Sequence, residues 1–340
     1  MTRLVVRSCG PMTSLQDAGR VGSRRFGVSG SGAMDSLALA HANALVGNPP
    51  GTGAIELALM GGSFEAMDGP VRVAVAGAPA GVSIAGRPLA PGSSATLHPG
   101  EQVTVGAAQA GVFLYLAVAG GLAVQPELGS VSLHARAAIG GLGGRALRAG
   151  DELALASPAP SGPDLTLDAP LLEADAPIRV VLGPQADHFS EEAVSDFLSA
   201  TYAVSAEADR MGYRLSGPVI PHLRGFNIVS DGIVAGSVQV PGSGVPIVMM
   251  ADHQTTGGYP KIATVISPDL RILAQRRPGA SVFFAAISIE EAQDLARERA
   301  ALVSGLAGRA APRRGGLPEV EALLGLNLAG HATDALAGEP

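Results

Sequence analysis

The sequence predicts a mainly β protein with a few helices, arranged as two β-rich halves. Three observations carry that prediction. Glycine (46) and proline (25) are frequent among the 340 residues, a composition that implies many turns and short elements. Short apolar runs recur between turn signals, with none of the long helical patterns between strands that βαβ units need. Hydrophobic residues make up 47% but aromatics only 4%, with no tryptophan, so the cores must be built from Val, Ala, Leu and Ile. A chain of this length exceeds one ordinary core, and two domains are the default. The Ser/Pro-rich segment 157–163 (SPAPSGP) reads as the linker. It gives residues 1–163 as an N-terminal β-rich unit, a compact barrel or sandwich, 164–304 as a second, barrel-like unit with a terminal helix, and 305–340 as a weakly structured tail.

In order along the chain, residues 3–7 read as a strand ending at Gly10-Pro11. Gln16-Asp17-Ala18-Gly19-Arg20 then leads into a Gly/Ser/Arg-rich loop through Gly32. A helix follows from Met34, with Asp35 and Ser36 in its first turn. Leu37, Ala40, His41, Ala44 and Leu45 recur at helical spacing, and Gly47-Asn48-Pro49-Pro50 stops it. The Ser29–Gly32 amides at the helix entry have two readings: an anion site at a helix N-terminus, or a glycine-rich connector with an N-cap. Strands are expected over 71–76, 82–84, 95–97, 102–105, 113–118 and 152–155, separated by turns such as Asp68-Gly69-Pro70 and His98-Pro99-Gly100.

The second half opens on a strand over 178–182. A helix follows, with Ser190 as N-cap, Glu191 and Glu192 complementing its dipole, and Phe189, Val194, Phe197 and Leu198 as its apolar stripe. Residues 208–215 return to strand, an alternation that points Arg210, Gly212 and Arg214 to one face. Runs over 228–230, 234–240, 245–250, 262–266, 271–273 and 281–286 complete a barrel-like set, and 289–303 forms a terminal amphipathic helix. The similar size of the two halves hints at internal duplication, although no fixed sequence period is visible.

Several functions are disfavoured at once. A net charge of −7 leaves no basic stripe for nucleic acid. A single cysteine, Cys9, excludes an intrachain disulfide and a cysteine-rich zinc site, and the seven histidines are scattered without ligand spacing, so no bound metal is expected. There is no Walker-type P-loop and no G-x-S-x-G elbow. Gly140-Gly141-Leu142-Gly143-Gly144 neither follows a strong strand nor opens a helix, which argues against a dinucleotide site. The N-terminal residues lack the apolar core of a signal peptide, and no run of about 18 apolar residues occurs, so a cytoplasmic location is expected.

The stretch richest in chemistry is 241–266, PGSGVPIVMMADHQTTGGYPKIATVI. Two β-rich runs bracket a ten-residue connection, ADHQTTGGYP, longer than a simple hairpin needs. It gathers a carboxylate (Asp252), an imidazole (His253), an amide (Gln254), two hydroxyls (Thr255, Thr256) and a phenol (Tyr259). Gly257-Gly258 permits positive φ and close backbone approach to a ligand. Lys261 follows at once, the single lysine among 23 Lys and Arg residues. Where arginine serves nearly every other cationic position, a retained lysine points to a need for a compact point charge.

Three blocks together resemble the carboxyltransferase subdomain A/B family, also called the allophanate hydrolase subunit 2 or KipA family. They are residues 13–35 (TSLQDAGRVGSRRFGVSGSGAMD), residues 208–217 (ADRMGYRLSG) with 230–241 (SDGIVAGSVQVP), and residues 251–264. The resemblance spans about residues 3 to 295 and implies two cyclophilin-like β-barrel subdomains with a ligand cleft between them. Free-standing members of this length include the C subunits of prokaryotic 5-oxoprolinases, and the chain looks most like these. That branch implies ATP as co-substrate, a KipI-like B subunit and a LamB/YcsF-like A subunit as partners, and hydrolysis of 5-oxo-L-proline to L-glutamate. On this basis Lys261 and Arg210 are expected to stabilise negative charge, and His253 or Asp252 to move the proton of the lactam nitrogen. Gln254, Thr255 and Thr256 would position the amide, Gly257 and Gly258 would bring backbone amides to an oxyanion, and Tyr259 would close the pocket. Gln16, Asp17, Arg20 and Asp35 match family-motif positions facing the cleft or a partner. Two alternatives belong to the same family. One is a biotin-dependent carboxyltransferase of urea-carboxylase type, whose biotin would sit on another polypeptide because the one lysine follows Pro260. The other is a KipA-like regulator that binds a kinase inhibitor.

Overall fold

The computed structural model describes residues 2–158, 162–168 and 175–313. The linker predicted over 157–163 and the tail predicted over 305–340 therefore lie partly outside the described residues. All strands up to Ala154 fall in two sheets. One is six-stranded, in the order Glu152–Ala154, Arg3–Cys9, Gly62–Met67, Gln102–Val105, Val82–Ile84, Arg87–Pro88. The other is five-stranded, in the order Ser14–Gln16, Ala54–Ala58, Phe113–Val118, Val71–Gly77, Ser94–Leu97. Leu4, Val6 and Phe64 of the first sheet meet Ile55, Leu57 and Val73 of the second in one closed core.

Strand Phe113–Val118 shows how this unit joins the rest. Every residue in it is buried because both faces are covered. Leu114, Leu116 and Val118 enter the core between the two sheets, while Phe113, Tyr115 and Ala117 face the opposite way. The latter pack with helix α1 (Ser36–Val46), where every residue from Leu37 to Val46 is buried. A helix enclosed on all sides belongs inside a core, and its buried polar side chains, His41 and Asn43, are hydrogen-bonded there. The cluster that holds α1 continues without a break into the second half, through Val180, Tyr202, Val238 and Ile262.

The second half is an eight-stranded sheet that nearly closes on itself. Its two edge strands are Ser281–Val282, against Tyr202–Val204, and Phe284–Ala286, against Ile178–Leu182. Only Phe283 separates them in the chain, so the two edges meet and the sheet curls into a barrel. Helix α2 (Glu191–Ser199) begins as predicted, with Ser190 Oγ accepting from Ala193 N at 3.1 Å. The short helix α3 (Leu270–Ala274) replaces the strand expected over 271–273. A three-residue apolar run carries no period of its own, and Pro268 and Asp269 in the preceding turn start a helix there. Helix α4 (Ile289–Arg309) opens with a capping box between Ser288 and Glu291 and runs six residues past the predicted end. Ala311–Pro312 then pairs with Leu165–Thr166, so residues 305–313 are structured rather than loose.

The strand expected over 208–215 begins only at Gly212. Asp209 Oδ1 accepts from the amides of Met211 (2.8 Å) and Gly212 (3.1 Å), a local turn that competes with strand pairing. Arg210 is lifted out of the strand alternation and directed at the seam between the halves.

Candidate active site at the seam of the halves

Arg210 anchors a buried polar chain across the seam. Its Nη1 donates to Glu56 Oε1 at 2.6 Å, its Nε to Asp252 Oδ2 at 2.9 Å, and its Nη2 to Gly32 O at 2.7 Å and Asp252 Oδ1 at 3.1 Å. Burial would lower this guanidinium, but the charges of Glu56 and Asp252 outweigh that and hold it above its ordinary value. Glu56 Oε2 in turn accepts from Tyr115 Oη at 2.6 Å and Met34 N at 3.0 Å. Burial first, then the neighbouring carboxylates, push the Tyr115 phenol well above its usual range, so it serves as a neutral donor. Tyr115 Oη accepts from Asp35 N, and Asp35 caps α1 through Leu37 N and Ala38 N while bonding Arg271 and Gln275 of the second half.

An open cleft of about 700 Å³ lies at the same seam. Arg24, Arg25 and Gly27 of the Gly/Ser/Arg-rich loop form one side, and Gly232, Ile233, Val234, Thr255 and Thr256 the other. Among the described residues, two guanidiniums and no carboxylate line it, which suits an anionic ligand. The far wall is held by the 252–261 loop. Asp231–Gly232 pairs with Thr256–Gly257, Ile233 N donates to Thr255 O, and Ser29 Oγ of the opposite loop donates to Ala251 O at 3.3 Å.

Lys261 lies behind that wall rather than in it. It is on strand Lys261–Val265, 2% exposed, and its Nζ donates to Asp231 Oδ2 at 2.7 Å and Gly232 O at 3.1 Å. Gln185 brackets the pair, its Nε2 donating to Asp231 Oδ2 and its Oε1 accepting from Lys261 N, each at 3.1 Å. The Lys261 ammonium holds the half-exposed Asp231 carboxyl below its ordinary range. His253 is 3% exposed, with Nδ1 at 2.6 Å from Gln254 O. A carbonyl can only accept, so Nδ1 carries the hydrogen and Nε2 keeps a lone pair. Burial, reinforced by the Arg24 charge and opposed by the Gln254 carbonyl and Asp252, moves this imidazole below 6.5 and keeps it neutral at pH 7.

The loop residues are thus brought together, with Asp252 and His253 buried and Gln254, Thr256 and Tyr259 exposed. Several expected roles change. Arg210 and Asp252 pair with each other, and neither lines the seam cleft. Gly257 and Gly258 do not have positive φ. A Cβ at Gly257 would stand 2.5 Å from Ile233 Cδ1 and 2.7 Å from Gln239 Nε2, so glycine serves close packing there. Asp35 is a buried cap and seam contact, not a cleft residue.

Asp17 is saturated by Gly19 N, Val131 N and the hydroxyls of Ser130 and Ser132. Gln16 donates to Ser14 Oγ and Leu133 O. Both tie the first half to its own 130–140 loop. Arg20 is 2% exposed and donates through Nη2 to Ser132 O, yet its Nε and Nη1 find no hydrogen-bond partner among the described residues. Burial lowers this guanidinium, with Asp17, Glu127 and Asp252 opposing the shift. The glycine run at 140–144 serves this packing: a Cβ at Gly140 would meet Ser132 O at 2.1 Å. Sequence reasoning does not single out Arg24, Arg25, Gln185 or Asp231. Arg24, Arg25 and Asp231 sit inside the quoted motif blocks, whereas Gln185 carries no local signal.

Among the described residues, no group of three or more His, Cys, Asp or Glu side chains is arranged to hold a metal ion, and no helix is long and apolar enough to cross a membrane. Two β-rich halves joined at a polar seam, with an arginine-lined cleft, place the candidate site between the halves. The family model described as "Carboxyltransferase domain, subdomain A and B" matches residues 26–286, and the chain belongs to that family. Gln16, Asp17 and Arg20 fall just outside the matched range. The chain is 38% identical to the C subunit of the 5-oxoprolinase of Haemophilus influenzae, covering 84% of this chain and 91% of that protein. It is 37% identical to the Escherichia coli K12 protein of the same name, covering 85% and 93%. Among solved structures it is similar to the K. lactis urea amidolyase, with a TM-score of 0.84 and 28% identity, covering 89% of this chain and 20% of that one.

Proposed function

We propose that the chain is the C subunit of an ATP-dependent 5-oxoprolinase, active together with a KipI-like B subunit and a LamB/YcsF-like A subunit. The observation that carries the proposal is the seam cleft, where Arg24 and Arg25 face the Thr255–Thr256 wall with a neutral imidazole, His253, behind it. The likeness to 5-oxoprolinase C subunits supports the substrate assignment. In the reaction the lactam oxygen takes a phosphoryl group from ATP, and water adds to the ring carbon. The C–N bond then opens as nitrogen takes a proton, and a second water releases phosphate from the acyl phosphate.

The residues of this chain have distinct parts in that sequence. Arg24 and Arg25 offset the phosphate and carboxylate charges of the ligands. His253 Nε2 accepts a proton from water and returns it to the ring nitrogen. Thr255 and Thr256 supply hydroxyls, Gln254 and Tyr259 are the exposed polar side chains of the same loop, and Lys261 with Gln185 fixes Asp231 and the Gly232 carbonyl. The likeness to urea amidolyase supports a second reading, carboxyl transfer from biotin carried on another polypeptide.

The test is glutamate and ADP formation from 5-oxo-L-proline and ATP in a mixture of the three purified proteins, with each omitted in turn. Both products should appear only in the full mixture. ATP turnover indifferent to 5-oxoproline would reject the reading, and carboxybiotin with a urea-like acceptor then tests the second.

A further inference from the structure

A separate cavity of about 380 Å³, sharing no lining residue with the seam cleft, lies between α1, the segment from Val75 to Ser93 and α3. Its walls are mostly apolar, with Val75, Ala76, Val82, Leu89 and Leu114 among them, and polar side chains stand at its ends. Its volume falls at the small end of the range for small-molecule sites, roughly 300–1,000 Å³. Three residues of the α1 region face it: Asp35, Ala38 and His41, whose i, i+3, i+6 spacing keeps them on one side of the helix.

The two ends of that row differ in charge. At one end Arg271 Nε bonds Asp35 Oδ1 at 3.2 Å, and Gln275 Nε2 bonds Asp35 Oδ2 at 3.0 Å. Arg299 of α4 reaches the same corner, donating to Ser36 Oγ at 3.3 Å. Burial pushes Arg299 down to about 10; the Asp35 carboxylate opposes the shift and the Arg271 charge adds to it. Two guanidiniums and the one carboxylate of Asp35 therefore meet at this corner, which leaves it net positive and suited to a ligand carboxylate. At the other end His41 is 1% exposed, with Nε2 against Leu167 O (3.2 Å) and Asp168 O (3.1 Å). Two carbonyl acceptors require Nε2–H, so Nδ1 bears a lone pair, and it has no hydrogen-bond partner among the described residues. An unmet buried acceptor is costly unless something donates to it. Asp35 and His41 lie six residues apart, about 9 Å along a helix axis, with only the small Ala38 between them.

We propose that this cavity is a second ligand site, for a small aromatic or aliphatic hydroxy acid. The carboxylate meets Arg271 at the charged corner, the apolar body lies over Ala38, and the hydroxyl donates to His41 Nδ1. The proposal does not depend on the oxoprolinase reading.

The probe is 4-hydroxyphenylacetate, titrated calorimetrically into the full chain beside phenylacetate and 4-hydroxyphenylacetamide. The hydroxy acid should bind with Kd below about 1 mM, with the des-hydroxy acid and the amide each at least roughly fivefold weaker. Ala38→Leu, which fills the middle of the cavity, should abolish binding. Val82→Phe fills it from a half-buried wall and should do the same if Ala38→Leu proves poorly folded. Equal binding of acid and amide, binding that survives both substitutions, or no binding by the hydroxy acid would overturn the proposal. So would displacement of the probe by 5-oxo-L-proline, which would make the cavity part of the substrate site.

Discussion

At the residue scale the most informative contrast is between Arg210 and His253. Both are candidates for chemistry from the sequence, and both lie at the seam, His253 buried and Arg210 largely so, but their hydrogen bonds give them different work. Arg210 spends all its donor atoms on Glu56, Asp252 and Gly32. Removing it would leave two buried carboxylates facing each other, so Arg210→Ala should cost about 3–5 kcal/mol of unfolding free energy. Urea denaturation measures this, and a loss below roughly 1 kcal/mol would show that the pair is not structural. His253 instead keeps a bare Nε2, and His41 resembles it in being buried and neutral. Burial is the largest cause of the lowered pKa in each, so the unfolded chain binds more protons than the folded one as pH falls. The stability these histidines allow is fully present above 6.5, and it declines as pH falls through their folded values. Denaturation midpoints should therefore drop below pH 6.5, and His41→Gln with His253→Gln should flatten that limb. An unchanged slope in the double variant would contradict the assignment.

At the element scale, α1, α2 and Phe113–Val118 are legible in the sequence because local signals and tertiary packing agree. Caps stand at the right positions, apolar residues follow the right period, and the strand's continuous apolar run reflects two covered faces. The failures have equally local causes. Arg271–Leu273 is too short for any period to separate helix from strand. The turn made by the Asp209 side chain overrides the apparent alternation after Ala208, which is why that alternation puts Arg210 on the wrong face. The polar loop is recognisable as a site from its composition, but its glycines mislead, since close approach and positive φ leave the same letter in the sequence. Gly257→Ala should press a methyl group on Ile233 and Gln239, costing about 1–3 kcal/mol and loosening the Asp231–Gly257 pairing. Amide exchange of Ile233 and Gly232 would report that loosening; unchanged protection would mean that the neighbours yield freely.

At the scale of the whole molecule, the division into a unit up to residue 163 and another from 164 remains a proposal about sequence organisation. The packing does not respect it as a boundary of stability. Helix α1 is buried on every side and lies in one cluster with the interior of the second barrel, while the Asp35–Tyr115–Glu56–Arg210–Asp252 chain crosses the same seam. Calorimetry should therefore show a single cooperative unfolding transition, and two resolved transitions would contradict a shared core. A seam with this much buried structure also gives the cleft fixed walls, the condition for positioning a reacting group.

The central claim, that the seam cleft is where this chain contributes to chemistry, is tested most directly at Arg24 and Arg25, the two guanidiniums that line it. Arg24→Gln with Arg25→Gln removes both charges and leaves the Lys261–Asp231 pair behind the wall in place. The measurement is the rate of 5-oxoproline-dependent glutamate formation by the reconstituted complex of all three proteins, with assembly checked by gel filtration. The predicted result is an assembled complex slowed by roughly 10²–10³-fold. An assembled complex with full turnover would place the chemistry elsewhere.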